Sequence, residues 1–175
     1  TLESLRSTTQ VPTLRLNTMA LHPPFERPGW AEALASVPGP ARERWSAEVA
    51  EQRARPEAPD TAFAEWRLSL VGRMHEAGVP LGAGTDTPIG LSIPGYSLHT
   101  ELERLVEAGL TPLEALSAAT VRPAEFFGLE DEMGTVEVGH RADLVLLEAD
   151  PLVDIRNTRK VGLVVSRGTL VVGGE

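Results

Sequence analysis

The stretch from Thr61 to Thr87 constrains the fold most. Phe63, Trp66, Leu70, Met74 and Ala77 recur at three- and four-residue spacing, which predicts a helix over 61–77 with one apolar stripe. Gly78 supplies its C-terminal stop. Val79-Pro80-Leu81-Gly82-Ala83-Gly84-Thr85 follows at once, almost free of polar side chains. A run of that kind is a strand covered on both faces, as in a parallel sheet. Helix, glycine turn and buried strand make one αβ unit, so the expected fold class is α/β. The strand ends on Asp86, between Thr85 and Thr87.

Composition removes several function classes. At 175 residues, 42% hydrophobic and 23% charged, the chain has room for one domain or a domain with a small appendage. No apolar run approaches the length of a membrane span. A formal charge of −9 leaves no basic face for a nucleic-acid partner. The absence of cysteine excludes disulfides, thiolate zinc sites and a cysteine nucleophile. There is no Gly-x-Ser-x-Gly elbow, phosphate-binding loop or dinucleotide fingerprint. The expected partner is a small-molecule substrate. Homo-oligomerisation stays open, and a cytoplasmic location is favoured.

Around the central unit, Val11 to Asn17 alternates apolar and polar residues and predicts a short strand. Residues 19–60 are broken by seven prolines and read as a lid-like insert, with an amphipathic helix over 41–55. A helix is expected from about Leu98 to Ala108, with Leu98, Leu102, Leu105 and Val106 inward. Thr111-Pro112-Leu113-Glu114 is a capping box that opens a helix to about Thr120, and a short helix follows from Pro123 to Phe127. From Gly134 the pattern turns to strands, at 142–148, 161–166 and 169–172. Arg167-Gly168 reads as a two-residue hairpin turn.

Asp86 is the leading candidate for chemistry, because α/β folds place their sites at the carboxyl ends of parallel strands. Gly82, Ala83 and Gly84 keep the backbone open to a close neighbour or ligand, and Thr85 and Thr87 are placed to orient the carboxylate. On spacing alone, Asp86 is equally a cap for the loop that follows. His22, His75, His99 and His140 form no metal-ligand motif. His99 opens a helix just beyond the Asp86 loop and is the histidine placed to line a pocket, with Thr87, as a substrate contact.

The series Gly78-Val79-Pro80 through Thr87-Pro88, Ser97-Leu98-His99-Thr100-Glu101-Leu102, Leu105-Val106-Glu107-Ala108-Gly109-Leu110-Thr111-Pro112-Leu113-Glu114-Ala115-Leu116, Ala118-Ala119-Thr120 and Gly134-Thr135-Val136-Glu137-Val138-Gly139-His140-Arg141-Ala142-Asp143-Leu144 resembles the amidohydrolase superfamily. It is most similar to the imidazolonepropionase-like and prolidase-like branch. The resemblance runs from about residue 61 to 172. It implies the C-terminal part of a (β/α)8 TIM barrel over 1–133, with the 19–60 insert on the catalytic face. Residues 134–175 would be the C-terminal part of a small β-sandwich domain. Segments 11–17 and 79–85 would be the seventh and eighth barrel strands.

The resemblance further implies a divalent metal, zinc in the first place, as one or two ions. Asp86 would be both a metal ligand and the proton shuttle, taking a proton from a metal-activated water and passing it to the leaving group. Amide C–N bonds, in a dipeptide or cyclic amide, are the expected target. In the resembled family Asp143 is structural. The family's other ligands are a His-x-His after the first strand, a Lys or acid after the fourth, and histidines after the fifth and sixth. None has a counterpart here. A whole barrel takes about 250 residues, so the chain is expected to be the carboxyl-terminal part of a longer enzyme beginning shortly after the sixth strand. Two other readings compete: a non-catalytic truncated or degenerate copy acting as a binding or assembly module, and a small self-contained α/β binding domain.

Overall fold

The periodic stretches become helices where expected. The structure, a computed structural model, describes residues 2–171. Its helices are α1 (Leu14–Asn17), α2 (Trp30–Leu34), α3 (Gly39–Ala54), α4 (Ala62–Glu76), α5 (Tyr96–Glu107), α6 (Pro112–Ala119) and α7 (Val121–Phe127). Thr111 and Glu114 close the capping box at the start of α6, and Gly128 ends α7 with φ of 67°. Among the described residues no helix is long and apolar enough to cross a membrane.

Helix α4 is rotated from the expected stripe. Ala64, Val71 and Met74 face the core, while Phe63 and Trp66 are 58% and 54% exposed and lie against each other. Small residues decide this. A Cβ on Gly72 would come within 2.5 Å of the Ala108 carbonyl oxygen, so α4 lies directly on the end of α5 where it has least side chain.

The strand expected at 11–17 does not form. Pairing occurs one residue earlier: Gln10 bridges Leu81 in parallel, with Gln10 N–H donating to Pro80 O and Gly82 N–H to Gln10 O, both at 2.9 Å. Pro12 has no N–H to continue a ladder. Thr13 turns into the left-handed region at φ 48°, and residues 14–17 coil into the single turn of α1. Segment 79–85 runs extended beside residues 9–11. The room at Gly82 and Gly84 is taken by the chain itself, since a Cβ on Gly84 would come within 2.5 Å of Val11 Cγ1.

Two cores result. Leu14, Val71, Leu81, Leu102, Leu105 and Ala115 belong to the first, between α1, α4, α5, α6 and segment 79–85. The second joins Trp30, Trp45 and Val49 of the insert to Leu91 and Ile93, which lie just beyond Asp86. The insert is therefore packed onto the loop that carries the candidate acid.

The C-terminal strands form an antiparallel sheet in the order β1 (Leu144–Leu147), β2 (Val161–Ser166) and β3 (Thr169–Val171). Val172, the expected last residue of β3, lies outside the described residues. Arg167 and Gly168 both take positive φ, 49° and 75°, which is the twist a two-residue hairpin turn needs. Asp143 accepts from the Arg167 N–H at 2.7 Å and holds that turn. Val145, Leu146 and Leu170 of this sheet are exposed, as are Leu113, Phe126 and Phe127. Exposed apolar side chains in this number mark an interaction surface or an aggregation liability. The isolated 1–175 chain is expected to melt broadly and bind a hydrophobic dye. A sharp two-state calorimetric transition with no dye binding would contradict this.

Candidate functional site

Asp86 is exposed at the end of segment 79–85, with φ of 51°. Aspartate tolerates that left-handed conformation better than most residues. The Ile89 N–H donates to the Asp86 carbonyl at 2.9 Å and tightens the turn. Thr85 and Thr87 do not orient the carboxylate. Their hydroxyls bond each other at 2.8 Å, and Thr87 continues to Ser92 at 2.7 Å. Among the described residues no hydrogen bond is donated to the Asp86 carboxylate, which faces outward as a free oxygen donor.

What holds this loop is Arg15. Its guanidinium donates from Nε to Thr85 O at 2.7 Å, and from its two other nitrogens to Gly90 O at 2.8 Å and Ile89 O at 2.6 Å. Gly90 is needed at this contact: a Cβ there would lie 2.4 Å from Leu16 Cδ1 and 3.0 Å from Met19 Sδ. Burial pushes the Arg15 pKa below its ordinary value, opposed by the charges of Glu101 and Asp86.

Arg15 is fixed in turn by Glu101 of α5, which is 0% exposed. Its carboxylate accepts the backbone N–H of Leu14 at 3.0 Å and of Arg15 at 2.6 Å. These are otherwise unpaired donors at the start of α1. Neither Arg15 nor Glu101 stands out by motif. The available signal is position: Glu101 falls beside Leu102 and Leu105 on the inward side of α5, where an acid must find partners, while Leu98, expected inward, is 37% exposed.

The histidines are spread out. His99 is partly buried, and its Nδ1 bonds Thr158 Oγ1 at 3.0 Å rather than a group on the Asp86 loop. Burial and the charge of Arg159 push its pKa down, partly offset by Glu103, so the ring favours the neutral form. His22 pairs with Glu107, His75 with Glu114, and His140 bonds Thr135. Among the described residues no group of three or more His, Cys, Asp or Glu could hold a metal.

Arg27 of the insert is paired with the buried Glu103, as is Arg159. Trp30 and Trp45 are core residues and do not line an open pocket. The insert does carry a cleft of about 740 Å³, lined in part by Met19, Phe25, Arg53 and Arg55. Arg53 lies over the Phe25 ring, 5.2 Å from its centroid.

A model of the amidohydrolase family matches residues 9–172. This chain belongs to the amidohydrolase family. It is 38% identical over 104 residues to an imidazolonepropionase of Symbiobacterium thermophilum, which covers 57% of this chain and 24% of that protein. It is 37% identical over 97 residues to an ochratoxinase of Aspergillus niger, covering 54% of this chain and 19% of that one. A Xaa-Pro dipeptidase crystallised with methionine in its active site superposes with a TM-score of 0.66 at 22% identity, over 95% of this chain and 35% of that one, a likeness of fold. The chain thus spans a quarter or less of the length of these two curated relatives.

The pH dependence of the support is set by Glu101. Burial raises its pKa from the ordinary 4.5 to about 7, against the pull of the two N–H bonds and of Arg15 and Arg104. Between those values the folded protein binds this proton more tightly than the unfolded chain does, so stability falls as pH rises through the window and levels off above it. Glu101→Gln is expected to flatten that part of the stability–pH curve, measured by denaturant unfolding. Parallel curves for variant and parent would rule this out.

Proposed function

We propose that this chain is the C-terminal part of a metal-dependent hydrolase that cleaves an amide or related C–N bond, with Asp86 as the acid at its reacting centre. The observation that carries the reading is an unpaired, exposed carboxylate at the end of a buried extended segment, in a chain whose family match covers residues 9–172. In this reading residues 1–133 complete a (β/α)8 barrel, 19–60 is its lid-like insert, and 134–175 belong to a β-sandwich domain. The substrate class is a dipeptide or cyclic amide. The relatives named above, an imidazolonepropionase and an ochratoxinase, support C–N hydrolysis.

Members of this family generally use divalent metals. A catalytic zinc takes three protein ligands. Asp86, a hard oxygen donor free of other bonds, fits one position of such a shell, and the described residues do not furnish the rest. The ion, zinc in the first place, would supply Lewis acidity that polarises the scissile carbonyl. Asp86 takes a proton from the attacking water and delivers it to the leaving nitrogen, a role for which an exposed carboxylate is suited. Thr87, in the middle of the Thr85–Thr87–Ser92 hydroxyl chain, and His99, whose Nε2 has no hydrogen-bond partner among the described residues, are the proposed substrate contacts.

The full-length gene product is expected to hold one or two divalent ions by elemental analysis. Asp86→Ala should lower kcat by about 10³, the range for a positioned acid–base group, with an unchanged circular dichroism spectrum. A metal-free protein whose turnover survives Asp86→Ala would point instead to a non-catalytic binding module. In the insert, Phe25→Ala should change relative kcat/KM among substrates differing in apolar side chain more than it changes kcat. Equal effects on all such substrates would remove the insert from substrate choice.

A further inference from the structure

We propose that Arg15 and Glu101 are positioning residues that fix where Asp86 stands in the reaction. The inference rests on the reading of Asp86 given above. The geometry is a relay of three rigid links. Glu101 extends from α5, a helix anchored in the first core through Leu102 and Leu105. It grips the N–H groups of Leu14 and Arg15, which sets the direction in which the Arg15 side chain leaves the backbone. The Arg15 fork then holds three carbonyls, those of Thr85, Ile89 and Gly90, on both sides of Asp86. The other hydrogen bonds beside Asp86 are local, from Ile89 N–H to Asp86 O and along the Thr85–Thr87–Ser92 hydroxyls, and the Asp86 side chain itself is exposed.

A merely structural role explains this poorly. Burying a carboxylate and a guanidinium is expensive, and apolar residues of the same volume commonly serve stability as well or better. What apolar residues cannot do is address three carbonyl oxygens at once. The planar guanidinium does so with charge-assisted bonds in fixed directions. Lysine keeps the charge and loses the fork. The relay therefore fixes location: it holds the residues flanking Asp86 and leaves the carboxylate free.

The test uses the full-length gene product with its metal. Arg15→Ala is expected to lower kcat about 100-fold, the effect of an ångström-scale misplacement of a reacting group, with KM little changed. Added ethylguanidinium should restore part of that kcat by refilling the fork, and hydrogen exchange at residues 85–92 should quicken without it. Arg15→Lys, the milder change, should fold normally and fall between Arg15→Ala and the parent in kcat. Parental kcat in Arg15→Lys together with no guanidinium rescue of Arg15→Ala overturns the proposal while leaving Asp86 in place. If Asp86→Ala keeps full turnover, the catalytic reading fails first and the positioning role falls with it. Quickened exchange in Arg15→Ala would then mark Arg15 as a loop anchor only.

Discussion

A carboxylate with no access to water must be answered by the protein around it, and in this chain that carboxylate is Glu101. Two backbone N–H groups and the nearby charges of Arg15 and Arg104 answer it. A group buried in this way ties together every element that supplies a partner, because removing any one leaves an uncompensated polar group. The turn at 14–17, helix α5 and the loop at 85–90 are thereby made one unit. The candidate acid projects from the edge of that unit, so its position is inherited from Arg15, 71 positions before it, and Glu101, 15 positions after it.

The next acid along α5 that is buried, Glu103, performs a similar service for other parts of the chain. It takes Arg27 from the insert and Arg159 from the turn at Ile155–Arg159, which in turn reaches Thr100 and lies over the Tyr96 ring. Helix α5 is therefore the hub on which the insert, the Asp86 loop and the segment leading to β2 converge. Its apolar residues fill the first core, and its acids fix what surrounds that core.

Helices α3 to α7 were legible from sequence because their signals are local: three- and four-residue spacing, the Thr111–Glu114 box, and glycines at 78 and 128. So was the hairpin, whose turn residues and alternation lie side by side. Segment 11–17 departs from its pattern because the alternation is genuine but short, and a distant carboxylate stabilises the coiled alternative. The stripe of α4 departs because aromatic bulk does not decide burial there: Gly72 and Ala64 permit the closer approach. Asp86 could be picked out as an acid after a glycine-rich run. Its holders could not, since nothing within several residues of Arg15 or Glu101 tells that they meet. The glycines beside Asp86 looked like room for a ligand, and the space belongs to Val11.

The second core has a bearing on how this protein can be rebuilt. Trp30, Trp45 and Val49 close over Leu91 and Ile93, so the boundary of the insert in space differs from its boundary along the chain. A chimaera that exchanges residues 19–60 for those of a relative would separate interlocking partners unless positions 89–95 travelled with them. The natural unit of recombination is thus discontinuous. Variation in the insert and variation in the loop that carries Asp86 are coupled, and a library that treats the insert as a free cassette would sample mostly broken cores.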